Sequence, residues 1–398
     1  MLQNDRKTPI RVLIAHYLPD VVSGAERSIA DFVQNADPSL LECVMLTPGT
    51  GSLEDFYLGR GFRVWTAHIE TPRRKYPGLH LAQSLWLAAR LKLLEVDFVM
   101  SNTFSAASRV GTAARLAGIP NAIYIREFIS DRPLNRKILQ RADGIMTISR
   151  DLQEYLFHLV DPQKLFLAYN YIDPAPILER ARLHRASGKR VLPFEKNHAA
   201  VGLVGRITPF KQQDLLIQAA PKVLERFPEA RFVIVGSARE TEKTYEESLH
   251  RLVHELGLER QVTFLGQRQD VVEITTELAI SCLTSDREPL GRVILEANII
   301  GCPVIASDRG GPAEIIEDGR TGLLFPTSGA DASSLLADRI CCFLADPFLR
   351  TRLATAAREK IGVTFAGIDY VRRQEEIILS LYHSRQLSKQ ITRETKSL

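Results

Sequence analysis

"LAISCLTSDREPLGRVILEANIIGCPVIASD" runs from Leu278 to Asp308. It begins with an apolar run of strand length, 278–285. A polar turn follows, then helical spacing over 291–301, then a second strand-like run over 303–308. Strand, helix and strand in so short a space read as one βαβ unit, and its helix is the crossover that parallel strands require.

The same alternation extends in both directions. Downstream come a short helix at 311–319, a strand at 321–326 and three closing helical segments, the last over 369–387. Upstream lie strands at 199–207, 230–236 and 261–266, with helices at 212–227 (despite Pro221) and 245–257. An earlier series has strands at 10–16, 42–48, 62–67, 97–102, 120–127, 142–149 and 164–170. Its helices fall at 24–36, 79–96, 105–118 and 150–158. Such alternation means parallel sheets with helices on both faces.

Between Ile172 and Asn197 the pattern breaks, and proline, glycine and charge mix there. A chain of 398 residues exceeds one core, so the break reads as a domain boundary. The expected class is α/β: two doubly wound, Rossmann-like domains facing across a cleft. The expected division is 1–180, 181–365, and a C-terminal piece, 366–398, whose helix packs back on the first domain before a polar tail. In such sheets ligands bind beyond the carboxyl ends of the strands.

Composition is that of an ordinary globular protein, 45% hydrophobic and 25% charged. A net charge of +4 with scattered basic residues gives little support to nucleic acid. It suits anionic small ligands or loose contact with an anionic membrane. Cys43, Cys282, Cys302, Cys341 and Cys342 have no metal-site or disulfide spacing and read as small buried hydrophobes. No apolar run has the length of a bilayer span, so the expected location is cytoplasmic or peripheral on a membrane.

Four stretches carry chemistry. In "VGRITPFK" (204–211), Arg206 and Lys211 sit where a strand ends and a helix begins, an arrangement that grips phosphate and that equally describes a solvated turn. In the opening stretch Glu288 lies in a loop, Leu290 and Gly291 open a helix, and Glu296 stands among Val, Ile, Leu and Ala. A buried carboxylate there needs donors, which ribose hydroxyls or a neighbouring Arg could supply. In "SDRGGPAEII" (307–316), Gly310 and Gly311 allow close approach of backbone to a ligand or simply make a tight turn. In "LPDVVSGAERS" (18–28), Gly24 opens a helix after the first strand. No G-x-G-x-x-G follows Ile14, and no P-loop, zinc helix, G-x-S-x-G or Asp-x-Asp motif occurs.

Together these residues resemble the large "group one" family of retaining glycosyltransferases with the GT-B fold. Glu288 and Glu296 are similar to its E-x7-E motif, "VGRITPFK" to its GR…K phosphate grip, and "FLGQRQDV" (264–271) to its base-side strand. "GCPVIASDRGGPAEIIEDGRTGLLF" and "SGAER" are similar to its downstream and first-domain signatures, with Ser23 where a glycine is usual. "YIREF" (124–128) stands where many members carry a histidine near the sugar.

The resemblance implies roles. Arg206 and Lys211 would hold the donor diphosphate. Glu288, Leu290 and Gly291 would meet the sugar hydroxyls, and Glu296 the ribose. Gln267 and Arg268 would lie by the base, Gly24 beside the diphosphate or acceptor, and Arg126 or Glu127 near the sugar. The implied reaction is retaining sugar transfer from a UDP- or GDP-linked donor to a glycan, lipid-linked or small-molecule acceptor. No cofactor, metal or nucleic acid is expected. A nucleotide-sugar epimerase and a non-catalytic scaffold are the alternatives. A basic loop at Arg73 and Arg74 before the 79–96 helix reads as a solvated loop or as a dock for an anionic bilayer.

Overall fold

The computed structural model describes residues 9–20, 23–68, 77–195 and 197–396. The chain divides into two compact units, Met1–Ile172 with Gly367–Leu398, and Asp173–Ala366.

The first unit runs β1 (Ile10–Ala15), α1 (Gly24–Asn35), β2 (Leu41–Thr47), α2 (Ser52–Leu58), β3 (Arg63–Thr66), α3 (Pro77–Leu93), β4 (Phe98–Ser101), α4 (Phe104–Ala117), β5 (Asn121–Ile125), α5 (Pro133–Gln140), β6 (Gly144–Thr147), α6 (Arg150–Leu156) and β7 (Leu165–Leu167). Its sheet order is β3-β2-β1-β4-β5-β6-β7, parallel throughout. Strands β4, β5 and β6 are buried at every position, so apolar residues run on without alternation.

The second unit runs α7 (Pro174–Ser187), β8 (Ala199–Val204), α8 (Gln213–Arg226), β9 (Ala230–Val235), α9 (Lys243–Glu255), β10 (Val262–Gly266), α10 (Val271–Glu277), β11 (Ile280–Leu283), α11 (Arg292–Ile300), β12 (Val304–Ser307), α12 (Pro312–Ile315), β13 (Leu323–Phe325), α13 (Ala332–Ala345) and α14 (Pro347–Val363). Its sheet is also parallel, in the order β10-β9-β8-β11-β12-β13. Val201, Leu203, Phe232 and Ile234 build its core against Leu216, Ala220, Leu336 and Ile340 of α8 and α13.

The final helix, α15 (Asp369–Lys396), belongs to the first unit. Leu381 of α15 lies over Gly144, where a Cβ would come within 2.4 Å of the leucine. Gln374 donates to the Tyr169 carbonyl at 3.3 Å, and Glu375 accepts from the Asp37 N–H at 2.6 Å. Burial raises the Glu375 carboxyl above its ordinary range.

Two features depart from the sequence expectations. The expected break in the pattern after Ile172 is not a break in structure, because α7 fills the first half of 172–197. Asp173 accepts from the Ala175 N–H, Pro174 sits in the first turn, and Gly188 ends the helix in the left-handed region. Proline at the start and glycine past the end are helix signals rather than breaks. Ile177 and Ala181 are buried, and α7 packs on α10 and α11, so the division falls at residue 172 instead of 180. The cysteines also differ: Cys282, Cys302 and Cys341 are buried as expected, Cys43 is half-buried, and Cys342 is exposed. Burial pushes the thiols of Cys43 and Cys302 up to about 12, which keeps them protonated.

Candidate active site

In each sheet the strand order reverses once, between β1 and β4 in the first unit and between β8 and β11 in the second. Chain leaving neighbouring strands there diverges to opposite faces, and a crevice opens at the carboxyl ends.

In the second unit the chain leaves β8 at Gly205 and Arg206. Gly236, with φ +139, sits so close that a Cβ on it would lie 2.0 Å from the Gly205 carbonyl oxygen. Only glycine permits that approach. A 3-10 turn over Pro209–Lys211 follows. It is pinned from the β11 side, where Thr284 Oγ1 donates to the Lys211 carbonyl at 2.6 Å and the Asp286 N–H to Phe210 at 3.0 Å. Gln213 Nε2 holds the Arg206 carbonyl at 2.9 Å.

Lys211 therefore points across the reversal. Its Nζ lies 2.6 Å from Glu288 Oε2, and Ser285 Oγ donates to the same oxygen at 2.6 Å. Glu288 is 9% exposed. A buried carboxylate is tolerated only with a charge partner and donors, and it has both. Lys211 is itself mostly buried and carries three N–H donors, so donors remain for a second anion.

Gly310 and Gly311 hold the Glu288 loop from below. A Cβ on Gly310 would lie 2.3 Å from the Glu288 carbonyl oxygen, and one on Gly311 would lie 2.3 Å from Leu290 Cα. The Gly311 N–H donates to the Glu288 carbonyl at 2.8 Å. The glycine pair thus serves protein backbone, and its close approach is to Glu288 and Leu290.

Leu290 is buried, and Gly291, with φ +94, caps α11 without a side-chain hydrogen bond. One turn on, Glu296 takes a hydrogen bond from Arg292 Nε at 2.9 Å. Of the two donor sources open for this carboxylate, the structure supplies the arginine. Arg206 is 43% exposed on its side chain, with Glu242 at 3.6 Å. Gln267 and Arg268 follow β10 on the sheet's edge. Gln267 is exposed, and Arg268 forks onto Asp270 at 2.7 and 2.6 Å, which raises the guanidinium's pKa and lowers the carboxyl's.

In the first unit the reversal is lined by buried polar side chains. His16 follows β1 and Asn102 follows β4. His16 Nε2 meets Tyr57 Oη at 3.1 Å, and its Nδ1 lies 3.5 Å from Asn102 Nδ2. Arg126, after β5, donates from Nε to Asn102 Oδ1 at 3.2 Å and from Nη1 to Asn170, and it stacks 3.9 Å over the Tyr124 ring. Burial depresses His16 to about 4; Glu26 opposes this and Arg126 adds to it, so the ring is neutral at pH 7. Burial raises the Tyr57 phenol well above its usual range.

Gly24 is the first residue of α1, and Ser23 caps it. Ser23 N–H and Oγ both donate to Glu26 Oε2, at 2.9 and 2.5 Å. The serine in the usual glycine position therefore closes a capping box. Glu127 is exposed beside half-buried Arg126. Sequence reasoning does not single out Ser285, His16, Tyr57, Asn102 or Asn170. For the capping box the signal is Ser-x-x-Glu; His16, Asn102, Asn170 and Ser285 offer only a position shortly past a strand, and Tyr57, within α2, offers none.

Two family models cover the two units. "Glycosyl transferases group 1" matches residues 185–360, and "Glycosyltransferase Family 4" matches residues 22–176. Both units thus match glycosyltransferase models, the second unit that of group 1. Among curated glycosyltransferases it is similar to the D-inositol 3-phosphate glycosyltransferase of Kribbella flavida, 28% identical over 69% of this chain and 65% of that protein. The protein of the same name from Nocardia farcinica is 31% identical over 58% of this chain and 54% of its own length. The alignments thus span between about half and two-thirds of those relatives. Among solved structures, Anabaena Alr3699/HepE in complex with UDP and glucose superposes with a TM-score of 0.79 at 23% identity, over 93% of this chain and 100% of that one. Sucrose-phosphate synthase from Thermosynechococcus elongatus superposes with a TM-score of 0.72 at 18% identity, over 94% and 100%. The glycosyltransferase fold is therefore GT-B, two Rossmann-like parallel-sheet domains.

Proposed function

We propose that the chain is a retaining glycosyltransferase that takes its sugar from a nucleotide diphosphate donor and needs no divalent ion. The observation that carries this reading is the Lys211–Glu288 pair at the sheet reversal of the second unit, 2.6 Å apart. Lys211, with Arg206 beside it, neutralises the departing diphosphate, which needs charge more than it needs a proton. Glu288, fixed by Ser285, accepts hydrogen bonds from the donor sugar's hydroxyls. Gly291 and the start of α11 offer N–H groups to the same end. Glu296 takes the ribose hydroxyls once Arg292 shares it, and Gln267 and Arg268 lie toward the base. Attack comes from the face the diphosphate leaves, and the departing phosphate helps deprotonate the acceptor. UDP is the first nucleotide to test, because the Anabaena neighbour was solved with it.

For the acceptor, the reading is a lipid-linked molecule met at an anionic membrane surface. Arg73 and Arg74 lie outside the described residues, but α3 itself supports this. Leu81, Leu85, Trp86 and Leu93 are exposed along it, and Arg90 and Lys92 lie in its last turn. Apolar side chains beside cations suit an anionic bilayer. No helix among the described residues is long and apolar enough to span one.

A thermal-shift panel of nucleotides and nucleotide sugars, followed by transfer assays, tests the donor reading. UDP or GDP should raise the melting temperature, and Lys211→Ala should lose the shift. Indifference to every donor rejects it. Flotation with phosphatidylglycerol vesicles tests the membrane reading, and Leu85→Glu with Trp86→Glu should abolish binding. Failure of the parent to float rejects that part alone.

A further inference from the structure

At the opposite end of the second sheet lies a cavity of about 480 Å³. It opens where β11 begins, between α7, the end of α11 and the first turns of α14. Three arginines line it, Arg185, Arg350 and Arg358, and no acidic residue does. Arg350, Ala354 and Arg358 share one face of α14 at four-residue spacing, and the small alanine leaves room between the two cations. Thr355 adds a hydroxyl.

Arg185 donates one hydrogen bond, to the Ile300 carbonyl at 3.0 Å, and so caps α11. The other two guanidinium groups make no hydrogen bond, and none of the three forms an ion pair among the described residues. Among the described residues, arginines without an ion pair occur elsewhere in the unit, at Arg226, Arg239, Arg251, Arg260 and Arg352, and what sets these three apart is that they line one cavity. Arg180, Arg182, Arg190, Arg268, Arg292, Arg309, Arg320 and Arg339 each lie against a carboxylate. Three cations around one concavity, with no acid to neutralise them, raise the local anion concentration. Planar guanidinium forks match the oxygens of phosphate. The cavity has the size of a small-molecule site, and its lining offers no aromatic face for a base.

We infer that this cavity is a second anion site, which takes a soluble phosphate-bearing small molecule through Arg185, Arg350 and Arg358. It is not a donor subsite. Lys211 and Glu288 lie at the carboxyl ends of the strands, and the cavity lies at their amino ends. The helix α11 spans the difference, from Gly291 beside the Glu288 loop to Gly301 on the cavity wall.

Isothermal titration with inorganic pyrophosphate tests this on the full chain. The parent should show two classes of site. The double substitution Arg350→Ser and Arg358→Ser should weaken one class by at least about tenfold, since charged hydrogen bonds are lost. Lys211→Ala should weaken only the other, so failure of the donor-site reading would remain visible separately. Arg358→Glu alone, at an exposed position, should act in the same direction and guards against misfolding of the double variant. A single class lost in Lys211→Ala, or pocket variants that titrate like the parent, overturns the inference. So does binding of phosphatidylglycerol vesicles, lost in the pocket variants, without any for pyrophosphate.

Discussion

The two sheet reversals have the same topology and opposite furnishing. In the first unit His16, Tyr57 and Asn102 are 4%, 0% and 0% exposed and joined by hydrogen bonds between neutral groups, with the charges of Arg126 and Glu26 at their margin. In the second unit the matching place holds a charged pair, Lys211 and Glu288, with Arg206 reaching solvent. One strand order thus presents a desolvated polar cluster in one unit and a charge-bearing grip in the other. The fold supplies a place, and the side chains just past the strands decide what it does.

The largest expected effect breaks the charged end. Lys211→Ala removes the cation and leaves Glu288 buried without its charge partner. Transfer should fall by a factor of about 10²–10³ in kcat/KM, as when one preorganised charge-stabilising donor is lost. Glu288→Gln should lower turnover more than it weakens UDP binding measured by calorimetry. Parent-like kinetics in Lys211→Ala would remove the distinction between the two ends.

The neutral end should respond to acid. His16 titrates near 4 in the folded chain against an ordinary value of 6.5. The unfolded chain therefore binds a proton that the folded chain refuses between those values. The His16 contribution is complete above pH 6.5 and declines as pH falls to about 4, by about 3 kcal/mol in all. Denaturant titrations of the parent and His16→Gln at pH 7 and pH 4.5 measure the difference. Equal pH slopes in the two proteins would show that His16 is not held neutral.

A smaller effect concerns how the charged end is built. Gly310→Ala places a methyl group 2.3 Å from the Glu288 carbonyl oxygen at a residue with φ +81. A loss of about 2 kcal/mol, read as a lower melting temperature, is expected from that strain. If stability holds, the Glu288 loop is softer than its packing indicates. The smallest effect belongs to Arg268→Ala. It removes a partly exposed pair with Asp270 and should change stability by less than about 1 kcal/mol. UDP affinity in the same variant shows whether the edge of the sheet takes part in binding.

Much of this was legible in residue order. Apolar runs of strand length separated by helical spacing place both parallel sheets, and Arg206, Lys211 and Glu288 mark one reversal by type and spacing. The helix α7 is harder to see, because Pro174 and Gly188, which punctuate its ends, read as breaks in the pattern. Glu296 illustrates another limit. Its apolar neighbours predict burial, whereas the structure leaves its side chain 22% exposed, and only the structure shows that Arg292, four residues earlier, is its donor. The neutral cluster of the first unit was invisible because His16, Tyr57, Asn102 and Asn170 are far apart in the chain and match no spacing.

Sequence alone determined the class of fold and the chemical character of one strand end, because hydrophobic periodicity and local turn chemistry act over a few residues. Tertiary structure decided which polar groups meet. The Lys211–Glu288 contact joins residues 77 apart, and the His16–Asn102 contact joins residues 86 apart. Only packing of the sheets brings such distant positions within hydrogen-bonding distance, and only burial turns the histidine neutral and makes the carboxylate depend on its lysine.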